Sequence, residues 1–317
     1  MATGDTLDGK LVVLLGGSGF FGAHVAQELL ARGARLRIAS RRPERAFRLK
    51  PLAKLGQIQL ARCNVARPEN IRAAMAGADA AVYLAGSFSG DLVALHVDGA
   101  QAAAEAAKDE GAATFVHVSA LGADKDSPAA YAQTKALGEG AVRAAFKQAT
   151  VLRPSVLFGP DDKFLNLFAG LISALPVMPV FGADAKFQPL FVDDAAQAVA
   201  AALADPASHG GKIYEIAGPE VLTMGRINRM IAEAEGRKRL FVELPNALSA
   251  LFAALPGTPM NRDQWALLKA GSTLSGKLPG LKKLGISPRP IELFLDRWMV
   301  RYRKHGRFAK RLGTLHR

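Results

Sequence analysis

A short apolar run that leads directly into a glycine-rich turn constrains this chain more than any other feature. The run LVVLL ends at Leu15 and is followed by GGSGFFG. A buried strand that turns through glycines into a helix forms a cradle for a pyrophosphate, because the helix N-terminus faces the negative charge. Gly16 suits the tight turn, Gly19 lets the backbone approach the phosphates, and Gly22 lets the helix pack close to the sheet. The sequence therefore predicts a bound dinucleotide, with contacts from Gly16, Ser18, Gly19, Phe20, Phe21 and Gly22.

Strand and helix signals alternate through the first half of the chain. Strands are predicted over 11–15, 35–39, 57–62, 80–84, 114–118 and 149–153. Helices are predicted over 20–32, 68–76, 91–109 and 129–147. This alternation is typical of a parallel sheet covered on both faces, so we expect an α/β fold with a Rossmann-type doubly wound sheet.

The residues after the second strand indicate which dinucleotide is bound. An NAD-preferring fold usually has an acidic residue about 20 positions after the glycines, to bind the ribose hydroxyls. Here the strand ends at Ser40, and Arg41 and Arg42 follow. Two guanidinium groups beside a small hydroxyl suit a 2′-phosphate, which a carboxylate repels, so we expect NADP(H); the alternative is that the arginines merely face solvent. Further cofactor contacts are expected where later strands end, at Asn64, Val65, Leu84, Ala85 and Gly86.

Three side chains further along predict proton-transfer chemistry. The fifth strand ends at Ser119, and twelve residues later Tyr131-Ala-Gln-Thr-Lys135 opens an alanine-rich helix. The spacing of four puts Tyr131 and Lys135 on one helix face. A nearby ammonium is expected to lower the pKa of the phenol, so that Tyr131 exchanges a proton with a carbonyl or alcohol oxygen during hydride transfer. Ser119 would hold that oxygen, and Lys135 would also bind the nicotinamide ribose.

Glycine- and proline-rich stretches divide the second half into shorter elements. We expect an NADP(H)-binding Rossmann domain over 1–160, with 186–218 returning to the main sheet. A smaller, interwoven C-terminal lobe is expected over 161–185 and 219–317. Within PLFVDDAAQAVAAAL the pattern predicts a strand, an Asp N-cap and a helix that returns to the main sheet.

Composition and charge narrow the class of protein. The chain has 317 residues, and 50% of them are hydrophobic, which excludes a disordered chain. Its one cysteine, Cys63, excludes an intramolecular disulfide. The net charge of +13 is concentrated in the tail 297–317, which has eight basic residues and no acidic one. We expect this tail to dock on anionic lipid or an acidic protein face, or else to be simply solvated. No nucleic-acid-binding motif and no metal-ligand spacing accompany the charge, so neither ligand is expected.

The chain resembles the extended and atypical branch of the short-chain dehydrogenase/reductase superfamily. The motifs that carry this resemblance are, in order along the chain, GGSGFFG, YLAG, Ser119 with YAQTK, LRPSVLFGP and FVDDAAQAV. Together with SRRP, HVSALGAD and the late LGISPRPIE, they look like the NADPH-binding accessory subunits of respiratory complex I and their bacterial relatives. The resemblance covers most of the chain and is loose through the basic tail. It also implies that Pro154 and Val156 contact the cofactor.

That resemblance implies a structural or regulatory NADPH in a subunit docked on the peripheral arm of complex I, near the membrane and the quinone entrance. The start of the chain has too few apolar residues for a signal sequence and does not resemble a transit peptide, so we expect a peripheral protein on the cytoplasmic face of a bacterial inner membrane, or on the matrix side after processing. His96 replaces the asparagine that extended dehydrogenases usually have on the helix supporting proton transfer.

Two other functions remain open from the sequence. The first is a free NADP(H)-dependent reductase, epimerase or dehydratase acting on a sugar, an isoprenoid or a quinone-like substrate, because Ser119, Tyr131 and Lys135 are all present. The second is a nucleotide-sensing regulator that binds NADP(H) and a protein partner, a class that generally lacks the Tyr-x-x-x-Lys pair.

Overall fold

The computed structural model describes residues 7–254, 260–304 and 306. Its strands in chain order are β1 (Leu11–Leu15), β2 (Arg35–Ser40), β3 (Ile58–Arg62), β4 (Ala80–Tyr83), β5 (Thr114–Val118), β6 (Thr150–Pro154), β7 (Leu157–Phe158), β8 (Val177–Phe181), β9 (Lys186–Phe187), β10 (Leu190–Phe191), β11 (Ile213–Ile216), β12 (Leu222–Thr223) and β13 (Leu240–Leu244). Its α-helices are α1 (Phe20–Ala31), α2 (Pro68–Met75), α3 (Gly99–Asp109), α4 (Ala130–Ala145), α5 (Leu165–Ala174), α6 (Val192–Ala204), α7 (Pro206–His209), α8 (Met224–Glu235), α9 (Asn246–Ala254), α10 (Arg262–Ala270) and α11 (Glu292–Trp298).

The chain divides into two compact units. The main unit consists of Met1–Pro154, Val192–Ile216 and Leu274–Ser287. The second unit consists of Ser155–Phe191, Ala217–Thr273 and Pro288–Arg317. The domain boundaries expected from the sequence remain a prediction.

A parallel sheet forms the centre of the main unit. In the part of the chain that the structure describes, seven strands follow the order β11-β6-β5-β4-β1-β2-β3, and every adjacent pair is parallel. The strand order reverses between β1 and β4, which is the point where doubly wound sheets bind their ligands. The predicted Rossmann-type sheet is therefore confirmed.

The core of the main unit follows from the alternation of side chains along each strand. Val13 and Leu15 of β1 point to one face, where they pack with α2, α3 and α4 through residues such as Ile71, Ala103 and Val142. Val12 and Leu14 alternate to the opposite face, and all four side chains are fully buried. A strand buried on both faces must be apolar throughout, which is why LVVLL contains no polar residue.

Short sheets and helices form the second unit. β7 pairs with β10 and β8 with β13, both in parallel, whereas β9 and β12 are antiparallel. An aromatic cluster anchors α11, where Phe294 stacks on Phe191 with ring centroids 3.8 Å apart and Phe158 lies 5.9 Å from Phe294. None of the helices in the described ranges is both long and apolar enough to cross a bilayer.

The segment PLFVDDAAQAVAAAL differs in part from its prediction. Helix α6 begins at Val192, so Asp193 and Asp194 lie in its first turn and neither is the N-cap. The preceding strand β10 pairs with β7 of the second unit and not with the main sheet. The helix itself belongs to the main unit, where it packs against α1 and its Asp193 Oδ1 lies 2.6 Å from His24 Nδ1.

Candidate functional site

The turn between β1 and α1 is shaped by two close approaches that only glycine permits. Gly16 has a φ of +89°, and a Cβ at this position would lie 2.9 Å from the amide nitrogen of Ala85, which follows β4. A Cβ on Gly22 would lie 2.6 Å from the Cα of Gly17. Gly16 therefore has the tight-turn role that the sequence indicated, whereas the closest approach of Gly22 is to Gly17 of the turn itself.

Gly19 is different because the protein itself leaves room for a side chain there. Its φ is −75°, and the nearest atom to a built Cβ is the carbonyl oxygen of Gly16 at an ordinary 3.5 Å. Within the described chain no side chain caps α1, and the first turn of this helix contains no acidic residue. An uncapped helix N-terminus with open space above a glycine fits the phosphates of a dinucleotide. Ser18, Phe20 and Phe21 lie in the same turn.

A cavity lies at the carboxyl ends of β2 and β3. Its volume is about 460 Å³, and it is lined by Arg41, Arg62, Asn64 and Asn70. The register pairs Ser40 with Arg62, so the two strands bring one arginine each to the same edge of the sheet. The lining has two guanidinium groups and no carboxylate, which suits an anionic ligand group.

Sequence reasoning missed two of the four residues that line this cavity. Arg62 is the last residue of the predicted third strand, so the rule that parallel strands present their carboxyl ends at one edge was a usable signal. Asn70 had no such signal, because it lies in α2 and contacts the site by accepting a hydrogen bond from the backbone N–H of Asn64 through Oδ1 at 3.2 Å. Arg42 is exposed, directly precedes a 3₁₀ helix, and is not among the lining residues.

The residues after β4 form a side-chain-poor wall beside the glycine turn. The backbone N–H of Leu84 donates to the Leu15 carbonyl at 2.9 Å, and Ala85 lies against Gly16. A Cβ on Gly86 would lie 3.4 Å from Lys135 Nζ, so this wall also adjoins the helix that contains Tyr131 and Lys135. Val65, which follows β3, is buried beside Gly99 at the start of α3.

The structure brings Tyr131, Lys135 and the end of β5 together. Lys135 Nζ donates to the carbonyl of Val118 at 3.0 Å and lies 5.9 Å from the centroid of the Tyr131 ring. Ser119 comes directly after Val118; its Oγ is buried and has no hydrogen-bond partner in the described part of the protein. A buried hydroxyl without a protein partner fits a group that binds a ligand oxygen.

Burial sets the protonation states of this group. The pKa of Tyr131 is raised to about 12, because desolvation disfavours the phenolate. The expectation that the Lys135 ammonium lowers this pKa is therefore wrong. Desolvation lowers the pKa of Lys135 to about 8, while the Glu139 carboxylate acts in the opposite direction. Tyr131 is thus a protonated donor at neutral pH, suited to giving a proton to a carbonyl oxygen when a bound nicotinamide supplies the hydride.

His96 connects the wall after β4 to the Tyr131 helix. It lies in a π-helical turn, Ala94–Asp98, and is fully buried. The backbone N–H of Ser87 donates to its Nε2 at 3.3 Å, so Nδ1 bears the proton and donates to Thr134 Oγ1 at 2.9 Å. Burial, followed by the Lys135 ammonium, lowers the pKa of His96 to about 4. The ring is therefore neutral and meets the Tyr131 ring edge-on at 5.4 Å.

Two further contacts that the sequence did not reveal support this helix face. Phe88 stacks on Tyr131 with centroids 4.4 Å apart, and it comes from the loop after β4. Arg153 of β6 donates from Nε and Nη2 to the two carboxylate oxygens of Glu139 at 2.8 and 2.7 Å. Glu139 follows Lys135 by one helical turn, so the bidentate pair fixes the negative charge beside the lysine.

Pro154 and Val156 fall on different sides of the division between units. Pro154 ends β6 in the main unit, and its carbonyl accepts a hydrogen bond from the Leu121 N–H at 3.0 Å. Val156 belongs to the second unit, where its carbonyl accepts from the Leu190 N–H at 2.9 Å. Their predicted contacts with the cofactor stay a prediction.

Comparison with known proteins agrees with this geometry. A family model described as NAD(P)H-binding matches residues 16–163, which include the glycine turn, the cavity and the Tyr131 helix. A structure titled as the epimerase Mth375 from Methanothermobacter thermautotrophicus matches with a TM-score of 0.73, at 18% identity over 98% of this chain and 95% of that chain. At that identity the match shows the fold alone. The NAD(P)H-binding match supports a nicotinamide cofactor, either NAD or NADP.

Relatives that this chain matches over most of their length identify its family. The mitochondrial NADH dehydrogenase (ubiquinone) 1 alpha subcomplex subunit 9 of Dictyostelium discoideum is 30% identical over 96% of this chain and 88% of its own length. The protein of the same name from Arabidopsis thaliana is 29% identical over 95% of this chain and 80% of its own length. The ceramide reductase of Caulobacter vibrioides is 30% identical over 78% of this chain and 80% of its own length. The chain therefore belongs to the same family as the alpha subcomplex subunit 9 protein of Dictyostelium discoideum and this ceramide reductase, and it contains an NAD(P)H-binding domain.

Proposed function

We propose that this protein is an NADPH-binding accessory subunit of respiratory complex I. The observation that carries the proposal is the relationship, over at least 95% of this chain, to proteins named as alpha subcomplex subunit 9 of NADH dehydrogenase, combined with the NAD(P)H-binding match. Its partners are then subunits of the peripheral arm. The cofactor has a structural or regulatory role, because the relationship is to subunits of a larger assembly.

The charge around the adenosine end supports NADP(H) as the cofactor. Arg41 and Arg62 line the cavity at the ends of β2 and β3, and no carboxylate is among its lining residues. A 2′-phosphate adds negative charge to the ribose, and two guanidinium groups bind it far better than they bind a hydroxyl. Arg42 follows Arg41 and adds positive charge to the same edge of the sheet.

The location we propose is the cytoplasmic face of a bacterial inner membrane, or the matrix side in a mitochondrion. The basic tail 297–317 would dock on the anionic membrane surface. Most of that tail, residues 305 and 307–317, lies outside the described residues. Within the described part, Arg301 and Tyr302 contact Asn166 of α5.

A mild-detergent purification of the tagged protein from its own cells tests this function. Complex I subunits identified by mass spectrometry, together with about one NADPH per protein released on denaturation, are the expected result. A soluble protein without partners would contradict the accessory role, even if NADPH is bound. Deletion of 307–317 tests the tail separately, since a loss of membrane association without loss of NADPH is expected.

A free NADP(H)-dependent reductase is the second function that a specific observation favours. Ser119, Tyr131 and Lys135 lie around the end of β5, and Tyr131 is held in its proton-donating form. One relative in the family is named a ceramide reductase. A carbonyl compound of lipid character is therefore a reasonable substrate class to screen, beside the sugar, isoprenoid and quinone-like substrates suggested by the sequence.

Replacing Tyr131 with Phe separates the two functions. The change removes one hydroxyl and retains the ring that stacks on Phe88 and meets the His96 ring edge-on. If the protein is a reductase, substrate-dependent NADPH oxidation should fall by about 10²- to 10⁴-fold while NADPH stays bound. If it is an accessory subunit, the Tyr131→Phe protein should still assemble and support NADH:quinone activity at the normal level.

A further inference from the structure

The connection between β2 and β3 has an unusual surface. This connecting segment, Arg41–Leu55, contains six basic residues and one acidic residue. Its centre is a 3₁₀ helix, Pro43–Leu52, that packs against α1, β2 and β3 of the main unit. The segment is separate from the basic tail and is described in full.

The 3₁₀ geometry explains which side chains of the connecting segment face outward. With three residues per turn, positions three apart lie in one row along the helix. One row contains Ala46 and Leu49, which are 1% and 4% exposed and hold the segment to the sheet. The other two rows face solvent. One of them contains Phe47 and Lys50, and the other contains Arg45.

Large apolar side chains on the connecting segment are left in water. Phe47 is 56% exposed, Leu52 is 54% exposed, and Leu55 is fully exposed. Basic side chains alternate with them along the chain, and Lys50 Nζ lies 4.7 Å from the Phe47 ring centroid. Exposed apolar residues interleaved with cations are typical of a surface that lies in the interface of a lipid bilayer.

We propose that the connecting segment Arg41–Leu55 docks this protein on an anionic lipid bilayer. Its large apolar side chains Phe47, Leu52 and Leu55 are each exposed, and a fluid bilayer adapts to separately exposed side chains more readily than a rigid protein surface does. Its apolar side chains would enter the boundary between headgroups and acyl chains while Arg45, Lys50 and Lys54 contact lipid phosphates. This surface acts in addition to the tail, and it does not depend on whether the protein is an accessory subunit or a reductase.

Vesicle co-sedimentation of the full chain tests this docking surface. The purified protein is mixed with vesicles of phosphatidylcholine alone or with added phosphatidylglycerol. We expect binding only to the anionic vesicles, and weaker binding as salt is raised. The triple variant Arg45→Gln, Lys50→Gln and Lys54→Gln should bind about 100-fold more weakly, because each basic residue near an anionic surface contributes about a factor of five.

Matched variants show whether a loss of vesicle binding comes from this segment, from a change in net charge, from misfolding or from the tail. Lys108→Gln, Arg143→Gln and Lys147→Gln remove the same charge from exposed positions elsewhere in the main unit and should leave most of the binding. Phe47→Ser with Leu52→Ser and Leu55→Ser should weaken binding at least about tenfold at unchanged charge. Arg41 and Arg42 are left intact, so bound NADPH reports that each variant is folded.

Three results would overturn the proposal. One is equal loss of binding in the Lys108/Arg143/Lys147 control, which would make the effect one of net charge. Another is full binding by both segment variants, together with a loss of binding when four basic residues of the tail are neutralised (Lys304, Arg307, Lys310 and Arg311). That result would assign docking to the tail. The third is the absence of binding to anionic vesicles. If the segment then binds an acidic protein instead, the lipid proposal is equally overturned.

Discussion

The two ends of the candidate site are built by opposite means. At the phosphate end, the backbone turn at Gly19 and the side chains of Arg41 and Arg62 face open space, so the ligand meets exposed N–H groups and cations. At the proton end, His96 and Lys135 are buried, and desolvation sets their pKa values. The phosphate end is therefore arranged to bind charge, whereas the proton end is arranged to keep its side chains neutral or poised near neutral pH.

The largest expected effect is at the phosphate end. Gly19→Asp would place a carboxylate at an uncapped helix N-terminus, where it fits the fold but repels the pyrophosphate. We expect NADPH affinity to fall by at least about 100-fold, since like charges in contact cost several kcal/mol. The melting temperature of the free protein should stay the same or rise, because Asp is a better N-cap than Gly. Calorimetric titration and thermal melting measure the two quantities.

Two matched variants sharpen this prediction. Gly19→Asn has nearly the same size without the charge, so it should retain much more affinity than the Asp variant. Gly22→Ala should instead lower the melting temperature, because its Cβ would lie 2.6 Å from Gly17 Cα. A Gly19→Asp protein that binds NADPH normally would show that the turn does not hold the phosphates.

A smaller effect is expected from the arginines of the cavity. Arg41→Ala combined with Arg62→Ala should weaken NADPH binding by about 10- to 100-fold, because we expect their hydrogen bonds to a solvent-exposed phosphate to contribute about 1.5–3 kcal/mol in total. NADH binding should change little, since NADH lacks the 2′-phosphate. Arg42→Ala is the matched control and should have the smaller effect on the ratio of NADPH to NADH affinity. Equal losses for both nucleotides would contradict the assignment of the cavity.

A further prediction concerns the pH dependence of stability at the proton end. His96 has a folded-state pKa of about 4, compared with 6.5 in an ordinary environment. The unfolded chain therefore binds this proton first as pH falls, and the native state loses roughly 3 kcal/mol between pH 6.5 and pH 4. His117 is fully buried and its pKa is lowered in the same direction, which adds to the loss.

His96→Asn should reduce this acid sensitivity. Denaturant unfolding at pH 4.5, 5.5, 6.5 and 7.5 would give a shallower loss of unfolding free energy below pH 6.5 in the variant than in the natural protein. The data above pH 6.5 serve as the internal reference, because a general packing defect lowers stability at every pH. A slope identical to that of the natural protein would mean that His96 is not held neutral in the native state.

Much of the fold and of the phosphate end was predictable because it follows from local rules. The apolar run before Gly16, the glycine spacing, the strand end at Ser40 and the position of Ser119 directly after a strand are read along the chain. The proton end was only partly predictable. Tyr131 and Lys135 were found from their spacing, but the direction of the pKa change of Tyr131 was not, because burial by Phe88 and the surrounding backbone comes from segments distant in sequence.

The sequence by itself determined the parallel sheet, the dinucleotide turn and the family, since each depends on residue types at short, fixed spacing. The tertiary structure decided that Arg62 shares a cavity with Arg41, that His96 is a neutral link between the β4 loop and Thr134, and that Glu139 is held by Arg153. These features depend on which strand ends and helix faces meet in space. Their electrostatic consequences depend on how much water is excluded there, which no local pattern of residues specifies.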